Sequence, residues 1–505
     1  PSSKTITGYD FSGNSVTTSL SFSADNTGPA SSGALTVNGA GGSAGGTTSY
    51  TNSSFSGSKT DFSDAGAGIS TNVLTREFAT ITDGVCDSFD SATVIASISE
   101  TTPAVGCYRY TLTATDLLAN VSVLKTTVMV DVEAPSSVVV SETGANGYLS
   151  GSTLYFRSGV SGSLTLSAAV TDVFPGAASA TFPAIATSNW THNAETITSG
   201  TGTNPITYTS SSFSWTSSAV APTGTRTISG ADKAGNSTNA TPFSFVADGS
   251  APTGGALTVA GTSGTALGAT VATNSALFSG SYTDYSVDAG SGFASSVLVR
   301  ETATFASGAC GGFGNSSTIT SISESALATG CYRYTLTGTD NVGNTSVLRT
   351  IVQVDVTAPS VVITETGANA VQTGSTIYYR GDLATSTVLS AAVTDAASGA
   401  ASATFPDVAT TGWTHNAETI SSAASTSGTT KTYNSSNFSW TASPSNPGSY
   451  TVTGTDAAGN AAVAQLAGSA DAPFAGRDKE IKEAVRSLTK KLVRKRVVED
   501  GIRID

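Results

Sequence analysis

The segment Gly106-Cys-Tyr-Arg-Tyr-Thr-Leu-Thr113 decides how this chain is read. From Tyr108 to Thr115 larger apolar side chains alternate with polar ones at a period of two, the pattern of a strand with one buried face. A short turn follows, and 121–132 resumes a β-rich run. The same eight residues return unchanged at 330–337, a shift of 224. Trp190-Thr-His-Asn-Ala-Glu-Thr-Ile197 returns at 413–420, a shift of 223, and Phe213-Ser-Trp-Thr216 at 438–441. Internal repetition on this scale sets the architecture before any single motif does.

Each long repeat divides in two. An Asp-x-x-x-Asn turn stands at Asp116/Asn120, Asp232/Asn236, Asp340/Asn344 and Asp456/Asn460, with glycine before the Asn in the last three. An Asp-x-x-(Ala/Gly)-Pro linker stands at 25–29, 131–135, 248–252 and 355–359. A Thr-Asp pair ends at Asp61, Asp172, Asp284 and Asp395, spaced by 111, 112 and 111. The unit is therefore about 112 residues in two alternating kinds: type A at 27–132 and 250–356, type B at 133–249 and 357–470. Gly, Asn, Asp, Ser and Pro break the β-rich runs every 8–12 residues or so, as in antiparallel sandwiches. The expected fold is all-β: tandem immunoglobulin-like antiparallel sandwiches, followed by a short C-terminal helix.

Over roughly 5–470 the units resemble the bacterial immunoglobulin-like domains of large repetitive surface proteins and adhesins. The residues that carry the resemblance are the Asp-x-x-Ala-Pro start, Thr283-Asp284 followed by Gly290-Ser-Gly292, and Thr455-Asp-Ala-Ala-Gly-Asn460. The first copy departs from it, since Leu117-Leu-Ala119 precedes Asn120 with no glycine. In a sandwich of that kind the incoming linker, the loop after the second strand and the last hairpin lie at one pole. The resemblance thus gathers Asp25, Asp61 and Asp116; Asp131, Asp172 and Asp232; Asp248, Asp284 and Asp340; and Asp355, Asp395 and Asp456. Unpaired carboxylates brought together cost several kcal/mol or so in repulsion and desolvation. Calcium, which takes six to eight oxygens or so, would offset that cost and stiffen the linkers. Such adhesins carry calcium at such places. The other reading is turn chemistry alone, because Asp, Asn and Gly are also what tight turns require.

Composition narrows the function classes. Of 505 residues only 12% are charged, against about 25% in ordinary soluble proteins. The formal net charge is −13, and it is unevenly placed. Residues 477–505 hold ten Lys/Arg and six Asp/Glu, whereas 1–476 hold thirteen and thirty. An acidic body repels phosphates, so nucleic-acid binding by it is not expected. No apolar run is long enough for a transmembrane helix. Two histidines, and no nucleophile elbow, zinc-protease or phosphate-loop motif, argue against an enzyme.

Cys86 and Cys107 are 21 apart, as are Cys310 and Cys331, both pairs in type A units. Two matched pairs with none spare argue for two disulfides and an oxidising compartment, against buried thiols or a metal site that lacks Cys-x-x-Cys spacing. Each would add roughly 3 kcal/mol in the chain-entropy model. Type B units carry two tryptophans each instead, Trp190 with Trp215 and Trp413 with Trp440. His192 and His415 read as structural, and Tyr108, Tyr110, Tyr332 and Tyr334 as core.

The two ends differ from the repeats. The N-terminal stretch up to residue 26 matches only the last hairpin of a type B unit, which two strands cannot make into a sandwich. Either it belongs to a longer array or it completes a neighbour's sheet. Residues 471–505 form a basic tail in which Ile481, Val485, Leu488 and Leu492 recur at helical spacing, an amphipathic assembly helix or a solvated one. The expected role is an extracellular structural protein at a microbial cell surface: a stalk, filament or layer subunit that self-associates. The alternative is an adhesin that grips a glycan or host protein through type B loops.

Overall fold

The computed structural model describes residues 2–30, 32–471 and 483–490. They are β-sandwiches in series with one short helix, and the chain forms two compact units. The first takes Pro1–Ser250 with Ala289–Gly292 and Asn341–Asn344; the second takes Ala251–Asp288, Phe293–Asp340 and Thr345–Asp505.

In the first type A repeat Gly106-Cys-Tyr-Arg-Tyr-Thr-Leu-Thr113 lies in the strand Gly106–Asp116. Its even members Tyr108, Tyr110, Leu112 and Ala114 point into the core, while Arg109, Thr111 and Thr113 alternate outward. It lies at the centre of a five-stranded sheet, between Ile69–Ala79 and Val121–Val130, with Thr93–Val94 and a parallel Thr48–Thr51 at the edges. A four-stranded sheet, Ile98–Glu100, Phe55–Thr60, Ala34–Val37 and Ala40–Gly41, closes the other face through Leu35, Val37, Phe55 and Ile98. The second type A repeat follows the same plan around Gly330–Asp340. Beside each sandwich stands a separate two-stranded hairpin, Ile81–Thr82 with Val85–Cys86 and Phe305–Ala306 with Ala309–Cys310. Both disulfides are formed, Cys86–Cys107 and Cys310–Cys331.

Type B repeats centre their cores on paired tryptophans, where type A repeats pack rings such as Phe55, Tyr108 and Tyr110. Trp190 and Trp215 lie 5.1 Å apart, each edge-on to Phe156, and Trp413 and Trp440 repeat this around Tyr379. Their indole N–H groups are spent on backbone carbonyls: Trp190 donates to Val220, Trp215 to Arg157 and Val160, and Trp440 to Arg380. These are the partners that buried indoles require.

The N-terminal strands Ser2–Tyr9 and Ser15–Phe22 form a two-stranded sheet in which every residue is exposed. At the other end 483–490 is helical, with Val485 and Leu488 exposed. Ile481 and Leu492 lie outside the described residues. Among the described residues no helix is long and apolar enough to cross a membrane.

Candidate metal centre

Three aspartates meet at each of three places inside the units, with one carboxylate oxygen from each within 4.8 Å of the others. The sets are Asp25, Asp64 and Asp116; Asp131, Asp172 and Asp232; and Asp355, Asp395 and Asp456. The first member comes from the linker and the third from the last hairpin, so strand order alone brings them together.

The Asn of each turn holds the hairpin member the same way each time. Asp232 Oδ1 accepts from the backbone N–H groups of Gly235 and Asn236, and Oδ2 from Asn236 Nδ2 at 2.9 Å. Asn236 Nδ2 also donates to the Asp131 carbonyl at 3.1 Å, which ties the turn to the linker. Asp456 and Asn460 repeat this on Asp355, and Asp116 and Asn120 on Asp25. Asp10 and Asn14 close the exposed N-terminal hairpin by the same bonds. The turn role expected of these residues is therefore met. It leaves lone pairs to spare, because each ionised carboxylate has about four acceptor sites.

The middle member differs from expectation in the type A repeats. Asp61 is exposed and paired with Lys59, and Asp64 takes the place in the first set. Asp284 is exposed likewise, and Asp288 stands in the sequence position that matches Asp64. The uniform Thr-Asp spacing misled, because the type A loop is longer by three or four residues before it turns. The signal that finds the right residue is a glycine four positions on: Gly68, Gly176, Gly292 and Gly399. Gly68, Gly176 and Gly399 donate their N–H groups to Asp64, Asp172 and Asp395 at 2.7 Å. The remaining expected set is divided between the units: Asp248 and Asn344 lie in the first, Asp284 and Asp340 in the second. Within the first, buried Asp248 accepts from Ser291 N at 2.7 Å, and its carbonyl accepts from Asn344 Nδ2.

One oxygen breaks the pattern. The residue three beyond the middle Asp donates its N–H to the linker carboxylate, Ala67 to Asp25 at 2.7 Å and Ser398 to Asp355 at 3.0 Å. In the set of Asp131 that residue is Pro175, which has no N–H to give. Asp131 Oδ2 is accordingly buried with no hydrogen-bond partner, on a residue 3% exposed. Burial pushes the Asp131 carboxyl up to about 6, and the charges of Asp232 and Asp172 add to the rise. Burial also raises Asp172, against the N–H of Gly176. Asp355 goes the other way: burial raises it, but hydrogen bonds from Ser398 and Thr357 outweigh that and hold it low. A hard cation fits the donor set of Asp131, Asp172 and Asp232: oxygens only, three carboxylates, one of them unsatisfied.

The remaining candidates resolve as packing. His192 is buried, stacked on Phe213 at 3.5 Å, with Nδ1 on the Pro183 carbonyl and Nε2 on Glu195. His415 repeats this with Phe438, Pro406 and Glu418. Tyr108, Tyr110, Tyr332 and Tyr334 are buried.

Comparison with known proteins gives two unlike sets. Residues 453–505 match the family model of the polyribonucleotide nucleotidyltransferase RNA-binding domain. The first part of that match, up to Asp471, is strand in the last sandwich, where Ala461–Asp471 pairs with Ser449–Asp456 and Thr376–Arg380. The polyribonucleotide nucleotidyltransferase of Parafrankia sp. (strain EAN1pec) is 72% identical over 32 residues, 6% of this chain and 4% of that protein. The chain thus spans only a small fraction of the curated relative it matches. Among solved structures, a tetra-tandem repeat in the extending region of a large adhesion protein is 19% identical over 86% of this chain and 99% of that one, with a TM-score of 0.26. A Ca²⁺-stabilized adhesin with which an Antarctic bacterium reaches out and binds ice is 17% identical over 88% of this chain and 100% of that one, with a TM-score of 0.23.

Proposed function

We propose that the body of this chain is an extracellular structural spacer of a microbial surface, a stalk, filament or layer subunit whose repeats are held to one another by calcium. The observation that carries the reading is Asp131 Oδ2, buried and unpartnered beside two more buried carboxylates. A bound divalent cation would supply the missing partner and cancel the mutual repulsion, so that linker, loop and hairpin move as one body. Asp131, Asp172 and Asp232 would hold it, and the sets of Asp25 and Asp355 would hold theirs. Two disulfides support an oxidising compartment outside the cytoplasm. Self-association of such spacers belongs to the same proposal. Glycan or host-protein recognition by type B loops is the alternative; of the tryptophans that suggest it, Trp190, Trp215 and Trp440 are buried with their N–H groups on backbone carbonyls, and Trp413 is half-buried with its N–H on the Ser445 carbonyl. Thermal melting of the full chain in calcium and in EGTA tests the proposal. A melting temperature several degrees higher in calcium is expected, and an identical one in both sinks the calcium reading.

A further inference from the structure

The disulfides do more than close a loop within the type A sandwich. Cys310 is not on either main sheet; it ends the small hairpin Phe305–Ala306/Ala309–Cys310, which forms a sheet of its own. The tip, Ser307-Gly308, has φ of 53° and 75°, and the tip of the other hairpin, Asp83-Gly84, 51° and 76°. Two left-handed residues in a two-residue loop make the tight hairpin turn that favours glycine in second place. A two-stranded hairpin is marginal on its own in water. This one is anchored at its root, where Cys310 is bonded to Cys331, a fully buried residue at the start of the long strand Gly330–Asp340.

Its tip touches the next repeat. Ser307 N donates to the Ala396 carbonyl at 2.9 Å and Gly308 N to the Ala397 carbonyl at 2.7 Å. Phe305, Cys331 and Ala397 form a buried apolar cluster with Ala303, Cys310 and Phe313 against it, so the disulfide itself is part of the contact. In the first unit the hairpin tip lies against the matching loop, since a Cβ on Gly84 would stand 2.7 Å from the Val173 carbonyl. In both units the loop touched is the one that begins with the middle aspartate, Asp172 or Asp395.

We infer that each disulfide-anchored hairpin is a latch between a type A repeat and the type B repeat after it, and that its docking surface is the 395–399 loop, or 172–176 in the first unit. The disulfide holds the hairpin, and the hairpin holds the loop. The contact is made by protein atoms alone, so it stands whether or not a cation binds.

Hydrogen–deuterium exchange of the full chain, with EGTA present throughout, tests this. Ala397, Ser398 and Gly399 donate their N–H groups to Asp395 and Asp355, so their exchange reports the loop. The variant Cys310→Ser/Cys331→Ser is expected to speed exchange at 306–309 and at 396–399 by tenfold or more, with Gly330–Asp340 unchanged. Faster exchange at 306–309 with 396–399 unmoved would overturn the latch. If the double variant loses protection throughout 330–340 the sandwich itself has failed, and Phe305→Ala, which keeps the disulfide, decides instead. It is expected to speed 396–399 several-fold, and no change there overturns the inference.

Discussion

The sets of Asp131 and Asp355 are built from the same three elements and differ in the hydrogen bonds that their linker carboxylates receive: Asp355 accepts from Ser398, Thr329 and Thr357, Asp131 from Glu133. Where Ser398 donates an N–H to Asp355, Pro175 has none for Asp131. Burial raises both, but hydrogen bonds from Ser398 and Thr357 outweigh it and hold Asp355 low, whereas burial pushes Asp131 up to about 6. The difference teaches that a shared acidic set is not a uniform one. A junction satisfied by its own backbone needs a cation less than one left with an orphaned oxygen, because an unsatisfied buried acceptor costs roughly 1–3 kcal/mol or more when charged.

The largest expected effect is on calcium removal at neutral pH. In EGTA, amide exchange should rise more at 172–176 and 131–133 than at 395–399 and 355–357. Equal rises at both junctions would break the comparison.

The pH dependence in EGTA should also have opposite signs. Asp131 is raised above its ordinary 3.8, so its contribution to stability is present below that value and is lost as pH rises through about 6. At about 1.4 kcal/mol per unit the loss is roughly 3 kcal/mol. Asp355 is lowered, so its contribution is present above 3.8 and is lost as pH falls through its folded value. Urea melts between pH 4 and 7 that follow the first type B repeat should show it weakening with pH. With calcium present the cation favours the ionised form, and that weakening should vanish.

Exchanging the loops sharpens the point. Giving 172–176 the sequence of 395–399, through Val173→Ala, Phe174→Ala and Pro175→Ser, restores an N–H three residues beyond Asp172. The expected gain in EGTA is roughly 1–2 kcal/mol, the worth of a hydrogen bond to a charged group less the packing of Phe174. The calcium-induced rise in melting temperature should shrink to match. A rise that stays as large would mean the orphaned oxygen is not what calls for the cation.

The sandwiches were legible because Tyr108-Arg-Tyr-Thr-Leu-Thr-Ala-Thr115 alternates over a full strand and the repeat copies it. The cysteine pairs were legible because each type A unit has two and no other partner is in reach. The middle aspartates were half legible. The spacing points to Asp172 and Asp395, which lie beside their linker and hairpin aspartates, but to Asp61 where Asp64 lies there, since a periodic spacing does not reveal how many residues a loop spends before it turns. What sets the geometry is the glycine whose N–H reaches back four residues, a local bond and not a period. The latch could not be read at all, because its contacts join backbone atoms of a hairpin tip to a loop some ninety residues away.

The smallest effect lies at the first set, where the sequence also departs. Its hairpin turn runs Asp116-Leu-Leu-Ala-Asn120, and Ala119 takes the left-handed place, with φ of 68°, that Gly235 and Gly459 fill at 99° and 97°. The Asn bonds are kept and one backbone donor moves: Asp116 Oδ1 accepts from Leu118 and Asn120 N–H where Asp232 accepts from Gly235 and Asn236, and Asn120 Nδ2 still reaches the Asp25 carbonyl. An L-residue in that region costs about 1–2 kcal/mol, while glycine brings back roughly 0.5–1 kcal/mol of unfolded-state entropy. Ala119→Gly should therefore stabilise the first type A repeat by a few tenths to about 1 kcal/mol, a few degrees in melting temperature for a domain of this size. Because the change leaves all three carboxylates and their donors in place, the calcium-induced shift should not change. A variant that melted higher in EGTA but lost its response to calcium would show that the strained alanine shapes the set, and not merely the turn beside it.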